Sequence, residues 1–335
     1  MIKEKNNTCY LCGSNSLKII RNKVRYDIRR NVLKCSNCGF VYLEEKQINY
    51  DDYYKGDYRK LYTPNLGEKL TSKQLFESLL PYQKYRVEIA KDLVHNDSTI
   101  CDIGCSSGHF LHSMKGIVNE RIGIEFNQSD FEFVEQELKI KVFNEPIQKT
   151  NLKEKTFDLI SSFHVLEHVE DPRDFLINAR KYLKDSGYLL IEVPNVEDAL
   201  LSLYRNQEYE DFWYREPHIY NFSIKSLNEL MKQSGFVGES YTIQRYNIFN
   251  HFNWLMKGSP QSKMEDGMSE INIIDNSIKD ELKNPFSEFF KKIDLDYKKL
   301  LNEHNLGDSI VFIGKGKRLI TETKKHTAPT DTKAT

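Results

Sequence analysis

No apolar run in this 335-residue chain is long enough to cross a bilayer, so no membrane segment is read in it. A surplus of one charge is also missing. Lys and Arg number 48 against 49 Asp and Glu, for a net charge of −1, with the two signs interspersed. That balance gives no support for a nucleic-acid or membrane-binding surface. There is no internal repeat. The opening residues, Met1 to Asn6, are charged and lack the apolar core of a secretory leader. The six cysteines are therefore expected to be reduced, in a cytoplasmic setting. Length alone suits one large α/β domain with small appendages.

What is present concentrates in residues 99–125. A β-branched start at Thr99 and Ile100 leads into Asp102-Ile103-Gly104-Cys105-Ser106-Ser107-Gly108. An amphipathic stretch follows, and a second apolar run, Arg121 to Ile124, ends at Glu125. This reads as strand, glycine turn, helix, strand and carboxylate, the pattern that holds a nucleoside-containing cofactor. The G-x-G-x-x-G pattern that seats a pyrophosphate is absent: only Gly104 and Gly108 are present, with Ser106 between them. Asp102 ahead of the turn would repel a pyrophosphate but attract an ammonium or sulfonium group.

The turn resembles motif I of the class I S-adenosylmethionine-dependent methyltransferases, D-x-G-x-G-x-G, with Ser106 in place of the middle glycine. Later segments continue the resemblance over roughly residues 80–245. Phe157 to Phe163 reads as a buried strand, followed by His164-Val165-Leu166-Glu167-His168-Val169 and by Asp171-Pro172 at a helix start. Lys184 to Gly187 reads as a turn and Tyr188 to Pro194 as the next strand. The resemblance implies a Rossmann-like α/β fold with a seven-stranded sheet, whose final strand, near Ser309 to Gly314, pairs antiparallel with the strand at 236–246. It also implies cofactor roles. Backbone at Gly104, Cys105 and Gly108 would face the methionine and ribose, and Asp102 the amino group. Glu125 would take the ribose hydroxyls, Phe126 would cover the adenine, and Glu145, with Asn144 an equal candidate, would read its amino group. His164 would line the pocket beneath the sulfonium.

The second strong pattern is Cys9-x-x-Cys12 and Cys35-x-x-Cys38, each followed by glycine. Two thiolates on one turn, repeated once, make a four-sulfur cage for zinc. Four protein ligands close such a site, so the zinc is expected to be structural, with metal binding supplying folding energy to a small ribbon. Two disulfides are the alternative.

The chain thus divides into a zinc ribbon (1–45), a tyrosine-rich linker and helical segment (46–97) and the cofactor-binding core (98–246). A helical insertion (247–307), the final core strand (308–320) and a polar, disordered tail (321–335) follow. Residues 195–222 read as a loop or lid. Within it, Glu216-Pro217-His218-Ile219-Tyr220-Asn221-Phe222-Ser223 resembles the E-H-x-x-(Y/F)-F-S stretch of deoxysugar methyltransferases, with Pro217 as an extra residue. Those enzymes also carry an N-terminal four-Cys zinc domain. The resemblance implies a small-molecule acceptor, a sugar, nucleotide sugar or surface-glycan precursor, methylated at O, N or C. C-Methyltransferases of that kind usually continue into another α/β domain, for which this chain is too short. His218 is the first candidate for general base and His168 the second, with Glu216 beside them. Tyr54 and Tyr58, and a cluster of Arg245, Tyr246, Asn250, His251 and Trp254, are further candidates on the acceptor side. The rival reading is a protein or nucleic-acid methyltransferase that uses the ribbon for recognition, through Lys18, Arg21, Lys23, Arg25, Arg29 and Arg30. A scaffold that has kept the cofactor fold without catalysis is a third.

Overall fold

The computed structural model describes residues 8–44, 70–275 and 277–317. Tyr54, Tyr58 and the 321–335 tail lie outside the described residues. At the N-terminus, β1 (Leu17–Val24) and β2 (Ile28–Cys35) form an antiparallel hairpin, and β3 (Val41–Leu43) continues the sheet. The hairpin carries the two cysteine turns at one end. Gly13 and Gly39 adopt φ of +72° and +82°, and their amides donate to the carbonyls of Cys9 and Cys35. That left-handed conformation is open to glycine at little cost, which explains the glycine after each C-x-x-C pair.

The four sulfurs converge. Cys9 and Cys38 Sγ are 3.6 Å apart, as are Cys12 and Cys35, and no disulfide links any of the six cysteines. Tetrahedral zinc with Zn–S bonds of about 2.3 Å separates its sulfurs by about 3.8 Å. The cage therefore fits zinc with little adjustment.

The core sheet begins with β4 (Thr99–Ile103), β5 (Glu120–Ile124), β6 (Lys141–Phe143), β7 (Phe157–Phe163) and β8 (Leu183–Pro194), all parallel to one another. A two-residue strand, β9 (Tyr220–Asn221), departs to the ribbon sheet. The last two strands, β10 (Phe236–Ile243) and β11 (Ser309–Gly316), return to the core. The order is β10-β11-β8-β7-β4-β5-β6, with β11 antiparallel to both its neighbours. The strand order reverses around β4, so a crevice opens at the carboxyl ends of β4, β5 and β7, where ligands of such sheets bind. The fold is the seven-stranded Rossmann-like methyltransferase sheet that the sequence led one to expect, with a four-Cys hairpin at its N-terminus.

Local chemistry accounts for the flanking helices. Asp171 caps the helix Pro172–Tyr182 through the Asp174 amide, with proline in its first turn. Ser223 and Ser226 form a capping box on Ile224–Gln233, directly after β9. Both helices bury one apolar stripe against the sheet, through Phe175, Leu176 and Ala179 in one and Leu227, Leu230 and Met231 in the other.

Two local readings need correction. Lys184 to Gly187 is a bulge inside β8: Phe157 faces Leu183 and Leu159 faces Tyr188, so the residues between loop outward within one strand. The supposed lid is the larger difference. It folds into two short helices, Ala199–Ser202 and Gln207–Trp213, and then joins the ribbon sheet as β9.

The ribbon is consequently fused to the core. β3 pairs with β9 through Val41–Asn221 and Tyr42–Tyr220, and the Leu43 amide donates to the Ile219 carbonyl. Phe40 stacks on Tyr220 at 5.7 Å and touches Phe222. Tyr10 donates to the capping carboxylate of Asp171 at 2.6 Å. Cys9, Leu11, Phe40 and Tyr42 belong to the same buried cluster as the helices under the main sheet. Removing a metal held by this cage would therefore reach beyond the ribbon. A chelator, or Cys35→Ser, should release zinc and expose the amides of residues 219–221 and Leu43 to hydrogen exchange. Unchanged protection there, with the metal gone, would show that the strand pairing stands without the cage.

Candidate active site

The turn after β4 is built around two constrained glycines. Gly104 has φ of +75°, and a Cβ there would lie 2.4 Å from the Val165 side chain. The turn is tied to β5 by the Gly104 and Cys105 amides, which donate to the Ile124 carbonyl. Ser106 also has a positive φ, and its amide donates to Glu125 Oε2 at 2.7 Å. The Asn127 amide donates to Glu125 Oε1, also at 2.7 Å. Two backbone amides thus fix the carboxylate at the tip of β5. Phe126 beside it is exposed. Asn144 donates to the carbonyls of Glu125 and Phe126, so its amide braces this loop; Glu145 is half-buried next to it.

Asp102 is buried at the end of β4, with Oδ1 accepting from Ser161 at 2.7 Å. Burial pushes its carboxyl up to about 7, against the pull of Ser161 and Arg86. A cationic group arriving beside it would be paired with the ionised form. The glycine turn, the fixed Glu125 and this under-compensated acid fit a positively charged nucleoside ligand without phosphate.

Past β7, the segment His164 to His168 folds onto the crevice. His164 takes φ of +56°. Its Nε2 lies 2.8 Å from Glu192 Oε1 and 2.8 Å from Arg245 Nη1. Glu192 is the centre of a buried network: Arg86 pairs with it at 2.8 and 3.0 Å, and the Tyr85 hydroxyl donates to it. These cations hold the Glu192 carboxyl well below the usual range despite burial. Arg245 in turn pairs with Asp308. Sequence reasoning missed Tyr85, Arg86, Glu192 and Asp308. A signal existed for one of them: Glu192 interrupts the apolar run Leu189 to Val193, and a lone acid in a buried strand needs partners.

Glu167 and His168 occupy the 3-10 turn Leu166–His168. Glu167 is fully buried. Its Oε1 lies 3.6 Å from His164 Nδ1, 3.8 Å from His168 Nε2 and 3.9 Å from His218 Nε2. The two imidazoles of His168 and His218 meet edge to face at 4.8 Å. The structure thus brings both candidate bases together around one carboxylate. Burial outweighs the nearby acid and lowers His168; burial and the Arg215 guanidinium lower His218 further. Both rings are neutral near pH 7. Burial pushes Glu167 up, but His164 and His168 more than offset it, so it is ionised.

The ribbon delivers His218 to this point through β9. Glu216, adjacent, is half-buried, and its carbonyl accepts from Arg30. The aromatic residues before it face away from the crevice. Phe212 lies under the Arg25 guanidinium at 3.4 Å and Tyr214 packs with Val24 and Val32 of the ribbon. The later cluster separates in the same way. Arg245 reaches His164, whereas His251 bonds Tyr297 and Gln244, and Trp254 packs on Tyr209 and Phe212.

A family model described as a methyltransferase domain matches residues 63–241, more than half of the chain. The mitochondrial ubiquinone biosynthesis O-methyltransferase of Candida albicans is 28% identical over 123 residues, 32% of this chain and 36% of that protein. A tRNA U34 carboxymethyltransferase of Pseudoalteromonas translucida is 35% identical over 107 residues, 30% of this chain and 33% of that one. The chain spans less than two thirds of the length of the curated relatives it matches. Among solved structures, an S-adenosylmethionine-dependent methyltransferase of Archaeoglobus fulgidus superposes with a TM-score of 0.46 at 19% identity, covering 72% of this chain and 94% of its own.

Asp102 supplies a test that needs no ligand. Its folded-state value lies above the unfolded one, so its contribution is present at low pH and is lost as pH rises from about 4 to about 7. Over that window the stability of the wild type relative to Asp102→Asn should fall by about 1.4 kcal/mol per pH unit. Parallel pH profiles in urea titration would remove the assignment.

Proposed function

The chain belongs to the methyltransferase domain family, and on that premise we propose that it is an S-adenosylmethionine-dependent methyltransferase acting on a small carbohydrate acceptor. The acceptor class is a sugar, nucleotide sugar or surface-glycan precursor, taken at O, N or C. One observation carries the catalytic part: two neutral imidazoles converge on an ionised, buried carboxylate beside the donor crevice. Such a group accepts a proton from an acceptor as its lone pair attacks the methyl carbon. The resemblance of the four-Cys ribbon and the Glu216–Ser223 segment to deoxysugar enzymes supports the acceptor class.

S-Adenosylmethionine supplies the methyl group and leaves as a neutral thioether. In this reading Asp102 holds its ammonium end, Glu125 takes the ribose hydroxyls, and Gly104, Cys105 and Gly108 let backbone approach. Phe126 covers the adenine, Glu145 reads it, and His164 lines the floor under the methyl. His168 donates Nδ1–H to the Pro217 carbonyl at 2.8 Å, which fixes the ring with Nε2 toward Glu167 and makes it a well-oriented base. His218 Nε2 instead accepts from Arg215 at 2.8 and 2.5 Å. His218 takes the proton when Arg215 withdraws, and otherwise positions His168. Glu216 lies at the acceptor's entrance. Alignment of acceptor and donor supplies the rest of the acceleration.

The nucleic-acid reading draws on the tRNA-modifying relative. It is weakened by the ribbon's own cations. Arg21 pairs with Glu210 and Asp211, Arg25 donates to the Phe212 carbonyl, and Arg30 donates to the Glu44 and Glu216 carbonyls. Three of the six basic residues are thus tied to the segment at 210–216, and Lys23 pairs with Asp27.

Mass spectrometry on a panel of nucleotide sugars and glycan precursors should find one that gains a methyl group. Methylation of tRNA alone, with binding that falls steeply in salt, would replace the carbohydrate reading. His168→Ala and His218→Ala should each lower turnover about a hundredfold or more with donor affinity retained. Wild-type turnover in both would dismiss the cluster as the base. Glu125→Ala should weaken donor binding about tenfold to a hundredfold by calorimetry; unaltered affinity would contradict the ribose role.

A further inference from the structure

Glu167 presents a problem that a proton acceptor alone does not solve. Both of its carboxylate oxygens are buried without a hydrogen-bond partner among the described residues. A carboxylate buried in that position is costly unless something positive meets it. Arg215 donates to His218. The histidine nitrogens around Glu167 approach no closer than 3.6 Å.

The gap has the shape of a ligand set. One oxygen of Glu167, one nitrogen of His168 and one of His218 all lie within 4.8 Å of one another. A tetrahedral ion with bonds of about 2.0–2.1 Å would bring such atoms to about 3.4 Å, a contraction of roughly half an ångström in the 3.8 and 3.9 Å distances from Glu167 to the two histidines. The outer contacts are those of metal-binding histidines. His168 donates Nδ1–H to the Pro217 carbonyl, which fixes the tautomer with Nε2 aimed at Glu167. His218 lies just before β9, the strand that pairs with the ribbon.

We propose that Glu167, His168 and His218 bind a divalent transition-metal ion, which takes the acceptor's oxygen in an open coordination position. One carboxylate and two imidazoles suit Mn²⁺, Fe²⁺, Co²⁺ or Zn²⁺, and suit the oxygen-seeking Ca²⁺ and Mg²⁺ poorly. The site is separate from the four-thiolate cage in position and in ligand chemistry. An ion here would hold a hydroxyl beside the donor and lower its pKa, so that the proton passes to solvent and His168 and His218 act as ligands in place of bases, which narrows the acceptor to molecules with an oxygen nucleophile or a chelating hydroxyl pair. Arg215 would have to leave His218 for the ion to enter, so the guanidinium and the metal compete. The proposal rests on the methyl-transfer reading for its role and on the buried carboxylate for its existence.

The test counts ions and leaves the cage loaded with zinc. Zinc-replete full-length chain is titrated with Mn²⁺, following free Mn²⁺ by electron paramagnetic resonance, and separately with Co²⁺, following its visible absorption. Wild type should take up one equivalent. Glu167→Gln and His168→Asn should weaken uptake at least tenfold with donor affinity kept, and Arg215→Gln should tighten it. Wild-type chain that takes up neither ion, or Glu167→Gln chain that takes up both as before, overturns the site. If the metal is refused while the histidine variants still lose turnover, the cluster works as a bare base and the methyl-transfer reading survives the loss.

Discussion

A ladder two residues long holds this molecule's chemistry in place. The pairing of β3 with β9 joins a metal-knuckle hairpin to the segment that carries His218. Without it, Glu216 to Ile219 would be a free connection after β8, and the second imidazole would have no reason to meet Glu167. The ladder is short, but it does not act alone. Phe40 against Tyr220 and Phe222, Tyr10 on the Asp171 cap, and Gln233 on the Leu11 carbonyl surround it with burial and hydrogen bonds. Aromatic packing of this kind contributes more than the two rungs, by area and by about 0.5–1.5 kcal/mol per ring pair beyond it.

A second constraint works from the opposite wall. Glu192 gathers Tyr85, Arg86, His164 and Arg245, and Arg245 passes the connection to Asp308. The helix before the sheet, the fifth parallel strand, the turn after β7 and the start of the last strand are thereby held at one point. Buried ion pairs of this kind add little net stability and lose much when one partner is removed. Their value here is positional: His164 is braced on one side by Glu192 and faces Glu167 on the other.

The parts legible in the sequence are those written locally. Asp102 to Gly108, the acid at 125 and the strand patterns around 157–194 specify backbone within a few residues, so their spacing carries the fold. The C-x-x-C pairs do the same for the cage. What the sequence did not disclose depends on partners far apart in the chain. The aromatic run at 212–214 reads as an acceptor lining, and packs on the ribbon. The basic residues of the hairpin read as a recognition face, and three of them hold the segment at 210–216. Lys184 to Gly187 carries turn chemistry and forms a bulge because the neighbouring strands leave it room to loop out. Glu167 sat in view within His164-Val165-Leu166-Glu167-His168, but its burial is a property of the crevice and of β9, which no local pattern records.

The β3–β9 ladder also imposes an order of events in time. Residues 41 and 221 are paired across about 180 positions of sequence, whereas the hairpin pairs within Leu17–Cys35 and can close early. During synthesis the knuckle and its first two strands are complete long before their fourth strand leaves the ribosome. For that interval β3 is an unpaired sheet edge that carries Tyr42 and follows Phe40, the kind of edge that recruits foreign strands. The nascent chain is thus most vulnerable to misassociation at its N-terminal end, and that exposure ends only when the segment bearing His218 arrives to cover it.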